Sequence, residues 1–188
     1  MIHRLIFLIC TLGAISVGAQ TIDIEAMRSL KIDHAAKRAI EKWNPRFTTY
    51  EMNDYPAPVR ELFTARAHEL PMAARGDFNG DGSIDYAFMG HDAKKTYFVF
   101  VLKFASGYKV KVARAEKYLD PRRSSIQNGK SATPGLSIYI GLADQEDSAR
   151  GRSQGRVLFI ESFGGATRLY QVRGDRPALI PELFGKAP

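Results

Sequence analysis

The sequence predicts an α+β domain, with N-terminal helices packed on an antiparallel β-meander and one strand–loop–strand acidic turn between the two halves. Three observations carry this. Apolar residues up to Leu70 recur at helical spacing, whereas from Ile84 onward they fall into short runs of strand character bounded by turn residues. A dense Asp/Asn/Gly segment, Asp77–Asp85, lies at the junction. Helical segments first and strands afterwards argue for α+β, not for a parallel α/β sheet.

The chain has 188 residues, a single cysteine and a formal net charge of +7. Met1–Arg4 is short and basic, and Leu5–Val17 is a nearly continuous apolar run. Val17 and Ala19 put small residues at the −3 and −1 positions of a cleavage site, so residues 1–19 read as a secretory signal peptide. The run is too short for a typical membrane-spanning helix, which needs about 20 residues. Ile9 before Cys10, and the few apolar residues ahead of it, speak against a lipid attachment site. Residues 20–188 are then expected to form one domain, without cysteine and with a net charge of about +6 once Arg4 is removed. The expected location is extracytoplasmic, periplasmic or secreted, in a bacterium. The lack of cysteine and of Asn-x-Ser/Thr sites fits that compartment.

Thr21–Trp43 reads as helix in two pieces, with Ile24, Met27 and Leu30 on one stripe and Ala36, Ile40 and Trp43 on the next. Asp33 is placed to cap the second piece and Asn44-Pro45 to end it. Tyr55-Pro56-Ala57-Pro58 leads into another helix with Val59, Leu62, Phe63 and Leu70 inward, stopped by Pro71. Beyond the acidic turn, Ile84–Met89 is a short strand and Gly90–Lys95 a turn. Thr96–Phe104 is a strand whose run Tyr97–Leu102 is apolar throughout, as expected for burial on both faces. Ser106-Gly107 turns into Tyr108–Val112, where Tyr108, Val110 and Val112 alternate with Lys109 and Lys111 as inner and outer faces. Ala113–Pro134 is less regular, with turns at Asp120-Pro121 and Asn128-Gly129. Leu136–Leu142 reads as strand and Asp144–Gly155 as a polar loop. Val157–Phe163 and Thr167–Val172 form a hairpin over Gly164-Gly165, and Pro177–Leu183 is a last strand or tail. No internal repeat is visible.

Within the acidic turn, Asp77, Asn79, Asp81 and Asp85 occupy relative positions 1, 3, 5 and 9, with Gly82 at position 6. That spacing wraps oxygen ligands around a hard cation, and Ca²⁺ is the natural candidate. The glycine makes the sharp turn, and Ser83 offers its backbone carbonyl. Three carboxylates this close repel one another unless a cation stands between them. An EF-hand needs a bidentate Glu at position 12 and an exiting helix. Position 12 here is Phe88, in a strand-like run, and the loop occurs once where a dockerin carries it twice.

The stretch Gly76–Ala87 resembles the calcium loop of FG-GAP/VCBS-type repeats, in a single copy, as in small exported bacterial proteins. That resemblance implies a strand–loop–strand arrangement. In it, Asp77, Asn79, Asp81 and Asp85 supply side-chain oxygens and Ser83 its carbonyl to Ca²⁺. It covers about a dozen residues and implies a metal and no reaction. A single loop does not suffice for the several blades of a propeller.

Other chemistry is sparse. Arg75-Gly76-Asp77 spells a cell-adhesion tripeptide, but Asp77 is already the first candidate ligand. His34, His68 and His91 have no metal-ligand spacing, and neither a nucleophile elbow nor a phosphate-binding glycine loop occurs. Glu161 sits in an apolar strand, and Asp144, Glu146 and Asp147 sit among the arginines of the 144–155 segment. Basic residues concentrate after the loop, from Lys94 and Lys95 through Lys103, Lys109, Lys111, Arg114 and Lys117 to Arg122 and Arg123, with Arg150, Arg152 and Arg156 beyond. Alternation along strands explains many of these as a solvated face.

The expected function is that of an exported calcium-binding domain with a structural or binding role and no evident catalysis. Its contact surface would be the sheet face, for another protein or an anionic envelope polymer. The alternatives are an envelope hydrolase whose site sequence does not reveal, and a basic module that adheres to anionic polymer.

Overall fold

The computed structural model describes residues 30–66, 69–121, 126–127, 130–131, 135–136, 138–142, 157–162 and 167–180. The expected signal peptide, the Ile24/Met27 stripe, His68, the Asn128-Gly129 turn, the 144–155 segment, the Gly164-Gly165 turn and the chain after 180 lie outside the described residues.

Helix α1, His34–Trp43, starts where Asp33 caps it, its carboxylate accepting from the Ala35 N–H at 2.7 Å. Ala36 and Ile40 form its buried side. Helix α2, Ala57–Ala65, follows Pro56, carries Pro58 in its first turn and buries Val59 and Phe63. It stops at Ala65, short of the expected Leu70. Leu70 instead makes an isolated bridge to Ala73 across a tight turn that leads into β2, so its burial belongs to that turn and not to a helix stripe.

Five strands form the first sheet: β1 Thr48–Thr49, β2 Ala73–Gly76, β3 Asp85–His91, β4 Lys95–Phe104 and β5 Gly107–Lys117. All pairs are antiparallel. β1 and β2 lie end to end along one edge of β3, opposite Gly90–His91 and Asp85–Phe88 respectively. A small hairpin, β6 Ile126–Gln127 with β7 Lys130–Ser131, follows. The second antiparallel sheet orders β8 Ile138–Leu142, β9 Leu158–Ser162, β10 Thr167–Arg173 and β11 Arg176–Leu179 in sequence.

The α+β expectation is therefore corrected: the protein is mainly β, with two antiparallel sheets and only two short α-helices among the described residues. The helices do not form a layer under one continuous meander. The physical reason lies in β3 and β4, whose residues Tyr86–Gly90 and Phe98–Leu102 are buried on both faces. Such strands need cover on two sides. Tyr86 and Tyr97 face α1. The Tyr86 hydroxyl accepts from the Asp33 N–H at 3.1 Å and donates to the Lys31 carbonyl at 3.3 Å, and Tyr97 meets the Trp43 ring edge-on at 5.3 Å. Alternate residues point the other way. There Met89, Phe98, Phe100 and Leu102 share one core with Ile140, Leu158, Ile160, Tyr170 and Val172 of the second sheet. β8 lies against β2 and β3, and β11 lies against β5. The Ile140 N–H donates to the Pro71 carbonyl at 2.9 Å, tying the layers at one edge.

The expected alternation in β5 is also revised. Val112 is 42% exposed, whereas Lys111 is partly covered and bonded to Asp175 of the β10–β11 turn at 2.6 Å. The second sheet covers the face on which Lys111 stands, and a bulge opposite Phe98/Val99 offsets the strand beyond it. Gly90 permits a close crossing, since a Cβ there would overlap the Thr48 carbonyl and the Phe47 ring.

Candidate metal centre

The acidic turn joins β2 to β3, and Gly76 pairs with Asp85 at its base. Residues 77–84 form the loop itself, and Phe88 at position 12 is inside a strand. Gly80 and Gly82 adopt positive φ values of 76° and 81°, the left-handed region that glycine enters without strain. The Arg-Gly-Asp tripeptide is no exposed tip, because Arg75 and Gly76 are ladder residues of β2.

Backbone N–H groups converge on the side chains of this loop. Asp77 Oδ1 accepts from Gly80 at 2.7 Å and Asp81 at 3.2 Å, and its Oδ2 accepts from Gly82 at 2.8 Å. Asn79 Oδ1 accepts from the Asp81 N–H at 3.1 Å, while Asn79 Nδ2 donates to Asp81 Oδ2 at 2.9 Å. Asp81 Oδ1 accepts from Ser83 at 2.8 Å. That bond is the main cause holding the exposed Asp81 carboxyl below its ordinary range.

Asp85 differs from the rest. It is fully buried, and its carboxylate ties three chain segments together. Oδ2 accepts from Phe78 at 2.9 Å and Asn79 at 3.3 Å, and Oδ1 accepts from Lys103 at 2.7 Å, at the far end of β4. Burial pushes its pKa up, and these amides oppose the rise. Phe78, fully buried, packs its ring on Phe100 at 5.1 Å and seals the site from the core side.

The donor set suits a hard cation, being all oxygen: three carboxylates, an amide and the Ser83 carbonyl. Asp77, Asn79, Asp81 and Asp85 each keep a lone pair beyond the bonds given above. The arrangement is nonetheless self-satisfied. Among the described residues no three carboxylate, imidazole or thiol side chains form a metal-holding group. An ion bound here would share Asp81 Oδ2 with the Asn79 amide. Among the described residues none of the three aspartates makes an ion pair.

No protein-family model, curated protein or solved structure matches this chain.

The remaining sequence candidates fall apart spatially. His34 begins α1, whereas His91 ends β3 between the rings of Tyr50 at 4.8 Å and Tyr118 at 4.9 Å, where burial lowers its pKa. Glu161 stands opposite Tyr139 across β8 and β9. Sequence reading missed two polar arrangements. At the Asp92 turn one carboxylate accepts from Lys94 and Lys95 N–H, the Tyr97 hydroxyl and the Asn44 amide. Asp92 followed by Lys94-Lys95 is an Asx-turn signal that would have found half of it. Beneath β4, Tyr50 donates to the Leu119 carbonyl at 2.8 Å, Thr96 donates to Tyr50 at 2.6 Å, and the Leu119 N–H closes on Thr96 at 3.0 Å. No local signal links residues so far apart in the chain.

Proposed function

We propose that this is an exported domain, stabilised by Ca²⁺, whose role is structural or binding and not catalytic. The ion is held by Asp77, Asn79, Asp81, the Ser83 carbonyl and Asp85. The observation that carries the reading is three carboxylates within one nine-residue turn, none of them in an ion pair among the described residues. Unscreened, they repel, and a divalent cation removes that repulsion. Asp85 gives such an ion leverage on the fold, because its carboxylate already joins the loop to β4 through Lys103. Asp85 is also the described carboxylate whose pKa is raised, yet both its oxygens face backbone amides, which favours an anchoring role over acid–base chemistry. An exported destination fits weak affinity, since extracellular modules of this kind bind Ca²⁺ at about 10⁻⁴–10⁻³ M. No helix among the described residues is long and apolar enough to cross a membrane.

The test is thermal or urea unfolding with about 10 mM Ca²⁺ against chelator, where roughly 1.4–2.7 kcal/mol of stabilisation is expected at that affinity. Asp81→Ala removes an exposed ligand at little structural cost and is expected to abolish the Ca²⁺ increment while leaving the chelated protein folded. An increment of zero in the parent chain sinks the proposal, as does an unchanged increment in Asp81→Ala.

A further inference from the structure

One end of the first sheet concentrates positive charge without neutralising it. Lys95, the first residue of β4, stands directly opposite Lys117, the last of β5, and both are exposed. Like charges in opposed positions repel. The repulsion has a specific origin. Counted back from the Gly107 turn, an unbroken ladder would set Lys95 opposite Glu116, an attractive pair. The bulge opposite Phe98/Val99 adds one residue to β5 and brings Lys117 to that place. Glu116 instead stands opposite Thr96 and pairs with Arg114.

Three more cations share this corner. Lys94 adjoins Lys95, and its carbonyl accepts from the Tyr118 N–H at 3.1 Å, beside Lys117. Lys42 and Arg46 flank Trp43 and Asn44. The Trp43 ring rests on Tyr97, and the Asn44 amide donates to Asp92 at 3.3 Å. All five cations are exposed, and among the described residues none is in an ion pair. Lys37, Arg66, Lys111 and Arg114 elsewhere are each paired, whereas Lys31, Arg38, Arg60, Arg75, Lys103, Lys109 and Arg173 make no ion pair among the described residues either, so the corner is distinguished by its directly opposed Lys95 and Lys117. The carboxylate lying among the five, Asp92, accepts four hydrogen bonds from Lys94 N, Lys95 N, Tyr97 and Asn44, and Asp120 is also engaged.

We infer that Lys42, Arg46, Lys94, Lys95 and Lys117 form a binding surface for an acidic polysaccharide, whose carboxylate or sulfate groups supply the negative charge that Glu116 is displaced from giving. The surface is open. All five side chains are exposed, and two cavities formed by described residues lie elsewhere, beside Leu70 and Ala74 and against α2, so an extended polyanion suits this surface. Nucleic acid is disfavoured because Trp43 and Tyr97 hold each other edge-to-face and the Tyr97 hydroxyl is committed to Asp92. Those rings are locked into packing and do not form a stacking platform for bases. The surface is independent of the Ca²⁺ reading: Asp85 begins β3, whereas His91 and the lysine turn lie at its other end.

The test measures binding of the purified protein, in chelator, to heparin as the sulfated probe, polygalacturonate as the carboxylated probe and single-stranded DNA. Affinity for at least one polysaccharide is expected to fall tenfold or more between about 50 and 200 mM salt. Binding of heparin alone assigns sulfate, and of polygalacturonate alone assigns carboxylate. Lys117→Glu is expected to weaken binding at least tenfold while raising Tm by about 1 °C, since it gives Lys95 an opposite charge across the ladder. A misfolded variant would lower Tm, so the two readouts separate loss of the surface from loss of the fold. Lys111→Gln, on the opposite, ion-paired face, is expected to bind as the parent does. No binding to either polysaccharide, tighter binding to the DNA, or an equal loss in Lys111→Gln overturns the inference.

Discussion

Asp85 and Asp92 show how differently two carboxylates act within seven residues of chain. Asp85 is buried and satisfied by three backbone amides, so its two acceptor oxygens are structural. In Asp85→Asn one oxygen becomes an N–H₂ group that must face a backbone donor. We expect a loss of roughly 1–3 kcal/mol in urea unfolding, the range for a buried polar group left unpaired. For Asp92, burial pushes the pKa up, but hydrogen bonds from Lys95, Tyr97, Lys94 and Asn44 outweigh it and bring it down to about 2. The sign follows from linkage. A depressed acid pKa contributes stability above the ordinary value near 3.9, and that contribution is lost as pH falls toward about 2. Between pH 4 and 2 the parent chain is expected to lose stability more steeply than Asp92→Asn, measured as the urea midpoint against pH. Parallel curves would refute this role. Asp85, raised by burial, acts in the opposite sense, its contribution growing as pH falls through its elevated pKa.

Among elements, β3 is the most constrained. It pairs with β4 on one side and with both β1 and β2 on the other, and it is covered on both faces. Gly90 is the point where β1 and the Phe47 ring press closest upon it. Gly90→Ala is expected to cost roughly 3 kcal/mol, the upper end for overpacking, because a backbone carbonyl cannot swing aside as a flexible side chain can. A midpoint shift within error of zero would show that β1 yields instead. The bulge in β5 is the other element-level device. It determines which side chains oppose β4 beyond Phe98, and so converts an attractive end of the ladder into a cationic one.

For the whole molecule, the central question is whether two sheets make one cooperative unit. Ile140 lies in β8, fully buried, in the same core as Met89, Phe98 and Phe100 of the first sheet. Ile140→Ala is expected to cost about 2–5 kcal/mol and to lower a single unfolding transition seen identically by fluorescence and circular dichroism. Two separated transitions would mean that the sheets fold independently. The shared core argues against that. Tyr55 supports the tie between the sheets indirectly, its buried hydroxyl donating at 3.3 Å to the same Pro71 carbonyl that accepts from Ile140 and lying 3.7 Å from the Met89 sulfur.

Local signals were legible in the chain to the extent that local chemistry decides them. Asp33 as a cap, Asn44-Pro45 as a stop, the Ser106-Gly107 turn, the strands around Tyr97–Leu102 and Leu136–Leu142, and the closed Asp77–Asp85 turn with its oxygen-rich side chains all follow from nearest-neighbour geometry and hydrophobic period. The sequence also announced two-sided burial in β4, but not what would cover it. Only tertiary structure decided that the later strands stack as a second sheet and that Asp85 reaches the Lys103 amide. It alone set Lys117 opposite Lys95. Each of these depends on contacts between residues distant in the chain, or on a one-residue register shift, and neither hydrophobic period nor local propensity carries that information.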